Sequence, residues 1–286
     1  MFSSMKTWVL LALLSGLLLF VGQVFGGNTG LIIALGIALV MNIGSYWFSD
    51  RIAIKMARAQ PADEATYGWY HRLIENLSQV AGQPKPRLYV SPSPQPNAFA
   101  TGRNPENAAV CVNQGLIDLL TVDEMEGVLA HELSHVHNRD ILIGSVAATI
   151  ATAVVFLSRL GFLFGGRDNF IAQIAMMILG PIAALLIQAA VTRSRETQAD
   201  VAGAQLSRKP MALASALQKL EAGGKKLAQR GVGGTPAESS SAYGSLYIAA
   251  PFGGRAQLSK LFRSHPSTEQ RVANLQQIAR DMGQTA

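Results

Sequence analysis

In the run Val128-Leu129-Ala130-His131-Glu132-Leu133-Ser134-His135-Val136 two histidines stand four residues apart in a segment of helical periodicity. At that spacing both imidazoles project from one helix face, where a single cation can bind them, and Glu132 stands beside the cation rather than on it. Two helical histidines with an adjacent Glu form a zinc-binding arrangement in which the Glu serves as general base on a water polarised by the metal. The competing reading is a chance spacing of two helical histidines. The single cysteine, Cys111, excludes an internal disulfide and a zinc site built from several thiolates, so His, Asp and Glu must supply the ligands.

Catalytic zinc keeps three protein ligands and one open position, so a third donor is needed. A longer motif with Gly at 138 and His at 141 is excluded, because this chain has Asn138 and Ile141. His137 is a possible donor, but two residues from His135 it points to another helix face and reads as a surface histidine. A better candidate lies in Arg193-Ser194-Arg195-Glu196-Thr197-Gln198-Ala199-Asp200. Glu196 and Asp200 are one helical turn apart. Glu196 can therefore ligate while Asp200 orients a ligating histidine through its other ring nitrogen; Arg193, one turn before Glu196, is a further candidate beside the ligands. A solvated charged helix face is the alternative.

The elements that must position these groups are signalled locally. Thr121-Val122-Asp123-Glu124 has the spacing of a capping box and starts the helix that carries the histidines. Met125, Val128, Leu129, Leu133 and Val136 give that helix an apolar stripe. Upstream, Trp69 to Val80 repeats at helical spacing and Gly82 suits a helix C-terminus. Arg87-Leu88-Tyr89-Val90 reads as a strand, as do Asn97 to Gly102 and Ala108 to Val112, with turn residues 103–107 between the last two. An edge strand at Asn97, Ala98, Phe99 and Ala100 could hold a substrate backbone by β-augmentation, or be a plain hairpin.

Composition places this machinery at a membrane. The chain is 49% hydrophobic and 15% charged, with a mean hydropathy of +0.23, too apolar for an ordinary soluble domain. Residues 7–49 carry no charge, enough for two helices of about 20 residues, with a turn at Gly26-Gly27-Asn28-Thr29-Gly30. A signal peptide over Lys6 to Phe20 competes, but no Ala-x-Ala site follows. Residues 141–158 and 169–192 are again uncharged and read as a second hairpin, a buried core hairpin being the alternative. Arg51, Lys55 and Arg58 place the end of the first hairpin in the cytoplasm, and Arg139, Arg193 and Arg195 outnumber Arg159 and Arg167 for the second. A hairpin that returns to its starting side would bring the two ligand helices together at the bilayer surface. The net charge of +6 fits an anionic leaflet rather than nucleic acid, since no groove-reading motif appears.

The tail reads as a helix from Met211 to Glu221 ended by Gly223-Gly224, a long loop over 223–254, and a last helix capped at Ser267 with Val272, Leu275 and Ile278 inward.

Taken in order, His131-Glu132-Leu133-Ser134-His135, Arg193-x-x-Glu196-x-x-Ala199-Asp200, Asn97 to Gly102, His265-Pro266 with Arg271-Val272, and the span placement resemble the integral-membrane zinc metallopeptidase family that includes the eukaryotic CAAX prenyl protease. The resemblance implies one zinc per chain held by His131, His135 and Glu196, with Glu132 as general base. It also implies a multi-pass protein of the bacterial inner membrane, its active site facing the cytoplasm, that acts in stress-linked quality control of membrane proteins. His265 would be the family histidine near the site and could assist the oxyanion; read alone it is a surface histidine ahead of a helix.

The expected fold is mainly α: four transmembrane helices in two hairpins plus a cytoplasmic zincin domain of gluzincin type, α+β with a small sheet. Its segments are a hairpin over 1–50, a first zincin part over 51–140, a hairpin over 141–192 and a second zincin part over 193–286. The expected activity is zinc endopeptidase action on misfolded or damaged membrane proteins, with polypeptides and the lipid bilayer as partners. The alternatives are a processing peptidase for one lipidated or C-terminal substrate and a non-catalytic scaffold with structural zinc, against which an intact Glu132 argues.

Overall fold

A computed structural model describes residues 2–140, 170–229 and 266–284, together with Ile143, Ala147, Ile150, Ala151, Val154 and Val155. His265 and most of the expected loop over 223–254 lie outside the described residues. The chain divides into two units, one of Met1–Trp47, Ile143–Ser194 and Gln257–Ser264, the other of Phe48–Leu142, Arg195–Ala256 and His265–Ala286.

The first unit is helical wherever it is described. Helix α1 runs over Phe2–Met56 and breaks at Gly27 (φ 52°, ψ −144°), inside the turn expected between two spans. This backbone conformation is open only to glycine. Leu18 and Val21 of α1 form an apolar cluster with Ala147, Ile150, Ala151, Val154, Ala184 and Val191. Among the described residues one helix, Met177–Ser207, is long and apolar enough to cross a membrane.

The second unit is an α+β domain. Its sheet has the order β1-β2-β4-β3, from β1 (Gln60–Pro61), β2 (Arg87–Ser91), β3 (Ala98–Thr101) and β4 (Ala109–Asn113). The hairpin expected between Asn97 and Val112 is β3 and β4, antiparallel across a 3-10 turn at Pro105–Asn107. Strands β2 and β4 pair parallel, and β1 is a short edge that the sequence did not suggest.

Helix α2 (Glu64–Ala81) ends at Gly82 in the left-handed conformation (φ 62°). After a short α3 (Gln114–Ile117) comes α4 (Val122–His137), whose Thr121 and Glu124 form the expected reciprocal capping box. Helix α5 (Phe170–Ser207), α6 (Pro210–Gln229) and α7 (Thr268–Asp281) complete the described elements.

The core gathers Tyr70 and Ile74 of α2, Val110 and Val112 of β4, Leu129 and Leu133 of α4, Leu213 and Leu217 of α6 and Leu275 of α7. All nine are buried. The other face of the sheet packs Phe99 and Cys111 on Ala53. One expectation fails: α6 does not stop at Gly223-Gly224 but continues to Gln229. A helical glycine costs only about 1 kcal/mol, and a Cβ at Gly223 would meet Leu119 and Pro96 at 3.3 Å, so the small residue lets the helix lie close to its neighbours.

Candidate metal centre

Helix α4 is buried almost throughout, which fixes the two histidines against rotation: His131 is wholly buried and Glu132 nearly so. Helix α5 supplies the opposite wall. Glu196, Asp200 and Gly203 recur at three- and four-residue spacing on one face. A Cβ at Gly203 would stand 2.8 Å from the backbone N and Cα of His131. Only glycine permits that approach, and it brings the Glu196 turn of α5 against α4.

The donors converge. The Nε2 atoms of His131 and His135 are 3.2 Å apart. Glu196 Oε2 lies 3.6 Å from His131 Nε2, and its Oε1 lies 3.4 Å from His135 Nε2. Tetrahedral zinc with bonds near 2.0–2.1 Å separates its ligand atoms by about 3.3 Å. The three side chains could thus hold one ion, and all three donor atoms lie within 4.8 Å of one another.

Both imidazoles are oriented from behind. Asp200 Oδ1 is 3.0 Å from His131 Nδ1, and Asp140 Oδ2 is 2.8 Å from His135 Nδ1. An ionised carboxylate can only accept, so His135, hydrogen-bonded to Asp140, carries its proton on Nδ1 and presents a lone pair at Nε2, and the charge of Asp200 beside His131 Nδ1 favours the same tautomer there. Two lone pairs facing across 3.2 Å repel unless a cation lies between them. Each carboxylate is in turn held by a guanidinium: Arg271 donates from Nε to Asp200 Oδ2 at 2.8 Å and from Nη2 to Oδ1 at 2.7 Å, and Arg195 pairs with Asp140.

Charge bookkeeping points the same way. Glu132, Asp140, Glu196 and Asp200 are buried with Arg195 and Arg271, so four carboxylates meet two guanidiniums and, with neutral imidazoles, leave a formal charge of −2. A divalent cation cancels that charge, and buried charge without compensation is costly. Burial opposes protonation of His131 and His135, yet the neighbouring carboxylates, Asp200 and Glu196 for the first and Glu196 for the second, outweigh it and raise both. The same electrostatics that would bind a proton would bind a metal.

Glu132 stands at the β3 edge of the sheet, where among the described residues no further strand pairs and the β3 residues are buried. Asn97 accepts at its carbonyl from the Asn113 amide at 2.9 Å, so the alternate residues Ala98 and Ala100 turn their backbone groups away from β4. The Ala100 amide donates to Glu132 Oε2 at 2.7 Å. Burial raises the Glu132 carboxyl above its ordinary range, the nearby imidazoles and this amide pulling it back.

Of the residues singled out in the sequence, the fold brings together His131, Glu132, His135, Glu196, Asp200 and Ala100. Asn97, Ala98 and Phe99 lie on or just before the edge strand. Arg193 is half-buried on α5, two residues before the arginine that meets Asp140. Asp140, Arg195 and the role of Arg271 were not foreseen. Spacing gives no hint of them, because Asp140 follows a helix end and Arg271 is remote in sequence.

Fold and site together define a metallopeptidase built on a helix-borne histidine pair. Comparison with known proteins agrees. Residues 64–279 match the family model described as Peptidase family M48. The chain is 45% identical over 291 residues to a "Protease HtpX homolog" of Persephonella marina, covering 98% of this chain and 99% of that one. Proteins of the same description from Syntrophobacter fumaroxidans and Burkholderia mallei are each 46% identical over 289 residues, covering 96% and 98% of this chain and 99% and 98% of theirs. The crystal structure of S. mikatae Ste24p is similar in fold, with a TM-score of 0.58 at 19% identity over 92% of this chain, which spans 62% of that one. This chain belongs to Peptidase family M48. It is a protease with at least one helix apolar and long enough to cross a bilayer.

Proposed function

We propose that the chain is a zinc endopeptidase of the bacterial inner membrane that hydrolyses peptide bonds of misfolded or damaged membrane proteins from the cytoplasmic side. The observation that carries the zinc reading is the convergence of His131 Nε2, His135 Nε2 and a Glu196 carboxylate oxygen to separations of 3.2–3.6 Å. Zinc bound by these three residues would act as a Lewis acid and bring the pKa of water in its open position down toward about 7.

The protein's own groups supply the rest. The Ala100 amide fixes Glu132 Oε2, and Glu132 takes the proton of the attacking water and passes it to the nitrogen of the leaving amine as the C–N bond breaks. A substrate backbone pairs with the β3 edge at Ala98 and at the Ala100 carbonyl, the Ala100 amide being held by Glu132, which sets the scissile carbonyl beside Glu132. His135 is kept in one tautomer by its hydrogen bond to Asp140, and Asp200 beside His131 Nδ1 favours the same one.

Four spans in two hairpins, over 1–50 and 141–192, with a peptidase domain assembled from 51–140 and 193–286, account for the remaining features. Leu13, Phe20, Ile32, Ile33 and Val40 of α1 are large apolar side chains left exposed, as lipid contact requires. Arg51, Lys55 and Arg58 are exposed after them, which favours a cytoplasmic position for that end.

The test is to offer the full chain, in detergent or liposomes, a panel of unrelated membrane proteins, beside Glu132→Gln. Cleavage of many partly unfolded substrates, absent in the variant, is expected. Full activity of Glu132→Gln would remove Glu132 from its role, and cutting at one C-terminal or lipidated substrate alone would replace quality control with dedicated processing.

A further inference from the structure

His135 is held by a contact chain that a zinc-binding motif does not require. After α4 the backbone at Arg139 takes the left-handed conformation (φ 55°), a turn that folds Asp140 back on the helix it follows. Asp140 Oδ2 then lies 2.8 Å from His135 Nδ1, while Oδ1 meets the Arg195 guanidinium. Asp140 and Arg195 are both buried. Their places in the chain are also particular. The peptidase unit is left after Leu142 and regained at Arg195, so the two residues flank the whole excursion. Arg195 precedes Glu196, so one turn of α5 brings both the third donor and the anchor of the group that orients the second donor.

We propose that Asp140 and Arg195 are positioning residues for the metal centre, through which the returning chain sets the ring of His135. The inference rests on the zinc reading above. The Arg195 guanidinium meets Asp140 Oδ1, and Asp140 Oδ2 accepts from His135 Nδ1 at 2.8 Å, so the lone pair of His135 Nε2 faces His131 and Glu196. Asp200 and Arg271 do the same for His131. The His135 couple differs in that its carboxylate, Asp140, precedes the excursion and its guanidinium, Arg195, follows it, whereas Asp200 and Arg271 both follow. Metal affinity and completion of the fold are thereby linked.

The experiment measures zinc affinity of the full chain in detergent by competition with a chromogenic chelator, alongside thermal unfolding of the metal-free chain. Asp140→Asn combined with Arg195→Met removes both charges at once, so neither is left buried alone. Zinc affinity should fall by about 10- to 100-fold, the usual effect of losing a group that orients a metal-bound histidine, while the metal-free chain keeps its unfolding midpoint. Arg195→Lys, which retains a cation, should recover most of the affinity. Unchanged affinity in the double variant overturns the proposal. So does a loss of affinity that only follows unfolding of the metal-free chain, with Arg195→Lys no better than Arg195→Met, for then the pair is a structural staple. An unaltered chain that binds no zinc overturns the zinc reading itself, an outcome distinct from both.

Discussion

His131 Nε2 and His135 Nε2 face each other at 3.2 Å, each ring faced at Nδ1 by a buried carboxylate. That relationship makes the site a cation trap rather than a hydrogen-bonded pair, since both inner nitrogens are left as acceptors.

Gly203 sets how closely α5 approaches α4. In Gly203→Ala the added Cβ would stand 2.8 Å from His131 backbone atoms that cannot rotate away, so the helices must part. The expected cost is about 1–3 kcal/mol of stability, seen as a lower unfolding midpoint, together with weaker zinc binding as Glu196 retreats. Gly224→Ala is the control. A Cβ there meets nothing within 4 Å inside α6, so the midpoint should rise, by about 0.5–1 kcal/mol in stability.

Arg139 carries a left-handed backbone that costs an L-residue about 1–2 kcal/mol. Arg139→Gly should relieve part of that and raise the unfolding midpoint without changing zinc affinity. A lower midpoint would mean that the Arg139 side chain contributes more than its backbone costs.

Glu124 makes acid stability measurable apart from the metal. Burial works to raise its carboxyl, but Lys219, Ser215 and the Thr121 cap more than offset it and hold it at about 2, against an ordinary 4.5. Because the folded value is the lower one, its stabilisation is complete above pH 4.5 and is lost as the pH falls toward 2. Its size is about 2 kcal/mol, discounted for the half-exposed Lys219. Thermal unfolding between pH 6 and pH 3 should show a steeper loss in the parent chain than in Glu124→Gln. Equal slopes would remove Glu124 from the account.

Most of the centre was legible because its residues sit on regular helices. Periodicity alone puts His131 and His135 on one face, and a one-turn spacing relates Glu196 to Asp200. The capping box at Thr121 and the left-handed Gly82 are local chemistry and appear where the sequence implies. What escaped depends on tertiary contact. Asp140 reaches His135 only because Arg139 adopts an unusual backbone, and Arg271 meets Asp200 from another helix. The continuation of α6 through Gly223-Gly224 escaped as well, since close packing against Leu119 and Pro96 overrides a weak local preference. His265 lies outside the described residues, and its assistance to the oxyanion remains a proposal from resemblance.

The most direct measurement is the zinc content of the full chain purified in detergent beside Glu196→Ala, by atomic absorption or mass spectrometry. One zinc per chain in the parent, and a large loss in the variant whose fold is otherwise kept, is the predicted result. A parent without stoichiometric metal, or a Glu196→Ala chain that retains it in full, would contradict the three-donor centre.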